Sequence, residues 1–400
     1  MSFPKQPAIL LRDVSPSAAI SGFVSVLVGF SSAAVIVFQA AETLGATEAE
    51  IASWVWALGM GLGVTSIALS LRYRAPVVTA WSTPGAALLI TSATDIDLAE
   101  GIGAFLVSAA LITLCGLSGW FERVMNYIPL PIASGLLSGI LLRFGLNVFV
   151  AMETRFWMVL VMFCTYLIAH RWCPRYAVLL ALTLGTLMAA FQGTLQVENI
   201  SLAFAAPVFT APRFSLSATV GVALPLFAVT MASQNVPGVA VLRASGYGRV
   251  PISPLLTWTG LATLLLAPLG AFAMNLAAIT AAICMGPEAH KDPDRRYVAA
   301  VVAGGFYMLV GIFGATVGSL FAALPQELVL ATAGLALLST IGRGLAAALG
   351  HEGDRQPALI TFLVTASGVT LGGVGSAFWG LVAGSLALGL LRLPQSVAQR

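Results

Sequence analysis

The chain has 400 residues, of which 58% are hydrophobic and 9% charged, with a net charge of +3 and a mean hydropathy of +0.95. Soluble domains carry roughly 25% charged residues, so a soluble enzyme is excluded, and the small positive balance gives no reason to invoke nucleic acid. A helix crosses a bilayer with about 20 apolar residues, and the strict alternation of an outer-membrane barrel is absent; the chain reads as an all-α integral membrane protein.

In chain order, a short N-terminus (1–15) leads into apolar segments at 16–41, 51–71, 76–92, 101–121, 128–150, 156–170 and 176–192. A polar-leaning connection at 193–213 follows. Further segments lie at 214–242, 252–268, 270–285, 298–322, 327–349, 357–371 and 373–393, before a tail at 394–400. The pattern predicts about 14 transmembrane segments in two sets of seven. The first run is too long for a signal-peptide core and is expected to remain as the first span. The 40 Gly and 20 Pro fit close helix packing and broken helices. Cys115, Cys164, Cys173 and Cys284 have no metal-ligand spacing and read as packing residues, so neither a metal nor a cofactor is expected. His170, His290 and His351 flank segment ends, where solvated loop positions are expected. Gly372-Gly373-Val374-Gly375 lacks the context of a nucleotide loop and reads as a tight turn.

Charge sets the orientation. With a cytoplasmic N-terminus and one crossing per segment, all 19 Lys and Arg except Arg143, Arg155 and Arg213 fall on the cytoplasmic side. Lys5, Arg12, Arg74, Arg243 and Arg295 are among them, and the bias satisfies the positive-inside rule. Both termini are then cytoplasmic. The halves resemble each other weakly: Ala75-Pro76 matches Ala267-Pro268, and Pro129 matches Pro325. Seven spans is odd, so the second half (214–393) enters inverted with respect to the first (16–192), an arrangement that favours alternating access.

The third segment opens on Thr79-Ala80-Trp81-Ser82-Thr83-Pro84-Gly85, a helix start at membrane depth. Thr83 suits the N-cap, Pro84 the first helical position, and Gly85 a close approach to the backbone. A helix beginning there leaves amide donors and a positive dipole end, which together attract an anion. The offset that aligns the two Ala-Pro pairs sets Asn275 opposite Thr83, making it the expected N-cap of a second half-helix over Leu276–Ile283. Segments 3 and 10 are therefore predicted as broken half-helices whose facing N-termini hold a small carboxylate. In segment 8, Gln234 and Asn235 interrupt an apolar span, which is costly unless they are paired or hydrated. Ser82, Thr83, Gly85, Gln234, Asn235 and Asn275 are the candidate binding residues, with Phe30, Trp81 and Phe272 as candidate aromatic lining. The competing structural reading makes Asn275, Gln234 and Asn235 polar clamps between helices.

Several strings resemble the benzoate:proton symporter (BenE) family: Thr79 to Leu89, Met231-Ala232-Ser233-Gln234-Asn235, Ala278 to Cys284, Pro287-Glu288-Ala289-His290 and Gly375-Ser376-Ala377-Phe378-Trp379-Gly380. The likeness runs from about residue 16 to 393. It implies a fold related to nucleobase and sulfate permeases, with segments 1–4 and 8–11 as a core domain and 5–7 and 12–14 as a gate. It also implies proton-coupled benzoate import across the bacterial inner membrane, with a homodimer as an assembly to test. Nucleobase permeases carry glutamates in the eighth and tenth segments, where this chain offers Gln234, Asn235 and Asn275. Glu42, Asp95, Asp97, Glu100 and Glu327 sit towards outer ends, which leaves the proton carrier open between an outer carboxylate and benzoic acid itself. The alternative function is a facilitator, exchanger or channel-like path for another small organic anion or nucleobase. A membrane-embedded enzyme would need a nucleophile–base pair or metal cluster at membrane depth, and the sequence offers neither.

Overall fold

The computed structural model describes residues 13–92, 96–173, 176–195, 204–314, 316, 324–369, 371 and 376–392. Lys5, Arg12, Asp95, Arg175, the Gly372–Gly375 turn and the 394–400 tail lie outside them. Helix α1 (Pro16–Thr43) starts where Ser15 caps the Ala18 amide and Pro16 needs no donor. Helix α2 (Glu48–Tyr73) opens on a capping box between Thr47 and Glu50. Strand β1 (Thr79–Trp81) and helix α3 (Thr83–Ser92) follow. Helix α4 (Leu98–Ser118) is capped by Asp97 and ends on Gly119, whose φ of 65° is the left-handed geometry that glycine adopts without strain.

A short helix α5 (Trp120–Asn126) leads to α6 (Leu130–Trp172), in which two helices, matching the expected segments 128–150 and 156–170, meet end to end at a break. It kinks at Arg155, which takes the non-helical φ −132°, ψ 55° near the junction the sequence marked. Helix α7 (Ala177–Phe191) completes the first half. Helix α8 (Leu216–Ala244) contains two π-helical stretches, Thr219–Ala223 and Met231–Asn235. Each lies just before a proline, Pro225 or Pro237. A proline lacks an N–H and clashes with the carbonyl one turn back, and a widened turn accommodates both defects. Then come α9 (Ile252–Leu266), β2 (Met274–Leu276), α10 (Ile279–Met285), α11 (Tyr297–Ile312), α12 (Gln326–Leu349), α13 (Glu352–Ser367) and α14 (Ser376–Leu391).

Seven described helical stretches are long and apolar enough to cross a membrane, and α1, α7 and α14 contribute shorter apolar runs. Large apolar side chains such as Trp157, Leu265 and Leu390 point outward, the reverse of a soluble surface. Two groups of helices pack internally. One joins α1, α2, α3, α10 and α11, with α4 against α9; the other joins α6, α7, α12, α13 and α14. Bare backbones bring the helices close. A Cβ on Gly59 of α2 would lie 2.5 Å from the Cα of Gly311 on α11, and one on Gly135 of α6 would lie 2.5 Å from the Ala358 carbonyl on α13.

At one end of the molecule Asp13, only 5% exposed, gathers Arg74 at 2.8 Å, the Tyr297 hydroxyl at 2.7 Å and Arg295 at 3.5 Å. Glu122 on α5 accepts from the Ile252 and Ser253 amides and the Ser253 hydroxyl, capping α9 from another element. Burial alone would raise the Glu122 pKa. The Ser253 and Ile252 donors and the Arg243 charge outweigh it and hold the carboxyl below its ordinary value. The described part of the 193–213 connection is strapped down, with Thr210 donating to Pro268 and Arg213 to Ala99.

Among the described residues, a two-stranded sheet departs from the all-helical reading. Strands β1 and β2 pair antiparallel with Thr79 opposite Leu276, Ala80 opposite Asn275 and Trp81 opposite Met274. A short ladder deep in an apolar protein leaves outward backbone groups that must be satisfied. The flanking helices supply side chains. Ser66 and Ser70 of α2 accept from the Thr79 and Val77 amides, Thr263 of α9 from Met274, and Asn235 of α8 from Leu276.

Candidate functional site

Ser82, rather than Thr83, caps α3: its hydroxyl accepts the Gly85 amide at 3.1 Å and is held by Thr230 at 3.1 Å. Thr83 thereby becomes the first helical residue, and its side chain is released. The second half-helix also starts later than expected. Ala278 precedes α10, while Asn275 lies inside β2, three residues upstream. The repeat offset read from the Ala-Pro pairs misplaces the cap because the loops before the two strands differ in length. Ala273, in the left-handed region at φ 32°, makes the turn into β2, and its carbonyl accepts from the Ser82 amide and the Asn275 side chain.

The starts of both half-helices open on one cavity of about 270 Å3. Thr83 and Pro84 line it from α3, and Ala277, Ala278, Ile279 and Thr280 line it from the β2–α10 junction. Trp81, Gln234, Val28, Gly29 and Tyr307 complete that side, and Phe144 of α6 closes it from the second group of helices. The wall is apolar apart from a few polar groups, and no charged residue lines it. Among the described residues, the half-buried Gln234 amide and the Thr83 hydroxyl have no hydrogen-bond partner within the protein. Thr280 carries a buried hydroxyl that is likewise unpaired.

The other candidates stand beside the cavity with different duties. Asn235 is fully buried and donates to the Met231 sulfur while its oxygen holds β2. Asn275 fixes the Ala273 turn and leaves its own oxygen unpaired. Gly85 makes room for Leu226, which a Cβ would meet at 2.7 Å. Phe30 packs edge-on against Trp81 at 6.0 Å, one layer behind the wall. Phe272 stacks with Trp54 and Phe105 away from the cavity. Val28, Gly29, Phe144 and Tyr307 were missed as lining. Each is an apolar or aromatic residue in an apolar helix, where only tertiary placement distinguishes lining from packing. His290, expected in solvent, is 9% exposed and takes the Asp292 amide on Nδ1.

Residues 12–390 match the family profile described as "Benzoate membrane transport protein". The chain belongs to that family. It is 48% identical over 383 residues to "Inner membrane protein YdcO" of Escherichia coli (strain K12), covering 96% of this chain and 98% of that protein. It is 42% identical over 387 residues to "Benzoate membrane transport protein" of Acinetobacter baylyi (strain ATCC 33305 / BD413 / ADP1), covering 97% and 98%. Its fold is similar to that of SLC26A9, with a TM-score of 0.52 at 11% identity over 95% of this chain and 66% of that one. The benzoate transport family is one of membrane transporters, not enzymes.

Proposed function

We propose that this benzoate transport family member imports benzoate together with a proton across the bacterial inner membrane by alternating access. The observation that carries the reading is the cavity. Two half-helix starts, an unpartnered amide and an unpartnered hydroxyl converge on an apolar slot with no fixed charge. The amide of Gln234, the Thr83 hydroxyl and the first amides of α10 would hold the carboxylate, and Trp81, Tyr307 and Phe144 the ring. Dipoles and neutral donors bind an anion without the tight ion pair that a fixed arginine would form, so release stays fast.

In this reading the chain crosses the membrane 14 times as two inverted repeats with both termini cytoplasmic, as the charge bias favours. Segments 1–4 and 8–11 rock as a core against a gate of 5–7 and 12–14. Phe144, reaching the cavity from α6, supports a site shared between the two bodies. The inside-negative potential opposes benzoate entry by about 2.3 kcal/mol per 100 mV. A proton carried with it cancels that opposition and adds the pH gradient. The test is uptake of labelled benzoate into proteoliposomes with pH gradient and potential imposed separately. Accumulation driven by an inward proton gradient and collapsed by a protonophore is expected. Saturable benzoate flux indifferent to the gradient would replace the symporter with a facilitator or exchanger.

A further inference from the structure

One buried carboxyl has no part in the cavity. Glu288 follows Gly286-Pro287 at the far end of α10, whose seven residues span about 10 Å from the cavity wall. It is 9% exposed. Its Oε1 is hydrogen-bonded to the Ser339 hydroxyl on α12, and its Oε2 has no partner at all. That second oxygen folds back over Gly286, where a Cβ would come within 2.7 Å of it. A small void beside it is lined by Ile20, Ser21 and Val24 of α1, Ile283 of α10, Val178 of α7 and Ala336 of α12. The carboxyl therefore sits on the seam between the two groups of helices, attached to one through α10 and bonded to the other through Ser339.

Among the described residues Glu288 forms no ion pair, and the Arg343 guanidinium on α12 is near enough for the two charges to act on each other. The titratable groups around it are Tyr166 on α6, Arg343 on α12, and His290 and Arg296 on the following turn. Arg296 is engaged by the Met285 and His290 carbonyls. An ionised carboxylate is acceptor-only and is costly to keep from water without a donor for each oxygen. Protonation removes the charge and gives the carboxyl a donor of its own.

We propose that Glu288 is the proton-binding group of the transport cycle, taking up a proton on its carboxylate from one side of the membrane and releasing it to the other as the seam opens. This rests on the symport reading above and leaves benzoate itself to bind as the anion. The experiment compares wild type, Glu288→Gln, Glu288→Asp and Ser339→Ala in proteoliposomes, reading labelled benzoate and internal pH together. With an inward gradient of one pH unit, wild type should accumulate benzoate about tenfold, the ratio one coupled proton supports. Glu288→Gln should accumulate none and admit no proton with benzoate, yet still exchange internal for external benzoate at equal pH. Glu288→Asp should recover proton-coupled uptake, and Ser339→Ala should displace the pH profile of uptake. Proton entry with benzoate in Glu288→Gln, or loss of exchange and accumulation together in both Glu288 variants, would overturn the assignment. Wild type that moves benzoate with no proton would instead remove the symport reading for all variants alike.

Discussion

Replacing Asn235 with alanine separates a binding residue from a structural one. In the structure its oxygen is the sole acceptor for the Leu276 amide, at 3.0 Å, with Asn235 fully buried and Leu276 only 4% exposed. Truncation leaves that amide with nothing to bond, at a cost of about 1–3 kcal/mol. The cost falls on β2, so local opening of the strand should rise about 5- to 150-fold while the rest of the fold is untouched. Hydrogen exchange followed by mass spectrometry reads this directly. Peptides covering Leu276 should lose protection by that factor, and peptides from α6 and α13 should keep theirs. Benzoate binding should weaken in parallel, because Ala277 to Thr280 form the cavity wall next to the strand. Wild-type protection at Leu276 combined with lost benzoate binding would refute the reasoning and return Asn235 to the list of direct ligands.

Three further outcomes are expected. Gln234→Leu should raise the benzoate Kd about 10- to 150-fold, the loss of one hydrogen bond to a charged group, with an unchanged unfolding midpoint in detergent; isothermal titration measures the first and a thermal scan the second. Gly59→Ala should destabilise the protein by about 1–3 kcal/mol, because the added Cβ meets the Gly311 backbone, whereas Gly305→Ala on the same helix α11 meets nothing within 4 Å and should be silent. Glu122→Gln should destabilise by about 1 kcal/mol at neutral pH through its weakened cap on α9. The Glu122 carboxyl is held below its ordinary value, so its contribution is present above the unfolded pKa of about 4.3 and is lost as pH falls through the folded one. The gap between wild type and the variant in thermal scans should therefore close on acidification.

Much of the fold was legible because helix ends carry chemical punctuation. The apolar run from residue 16 begins a helix at Pro16, and the helix start at Ser82-Thr83-Pro84 was readable to within one residue. The ladder was not legible. A three-residue strand has no period to detect, and its existence depends on a partner far along the chain. That blindness carried over to the site: Asn235 and Asn275 looked like ligands because their polarity had no visible purpose, and the purpose is a strand edge and a turn. Tyr307, Phe144 and Gly29 gave no polar signal to read. Glu288, next to Pro287 and close to Lys291, has the surroundings of a solvated loop; only its meeting with Ser339 reveals the burial.

The pairing of β1 with β2 also sets a condition on biosynthesis. The strands are about 195 residues apart, and ribosomes add about 5–20 residues per second. For something like 10–40 seconds the first strand exists without its mate. During that interval its backbone groups face either lipid, where each unpaired one costs several kcal/mol, or whatever the insertion machinery offers in their place. A chain stalled before Met274 would expose that unfinished edge, a molecular mark by which quality control could tell an incomplete copy from a finished one.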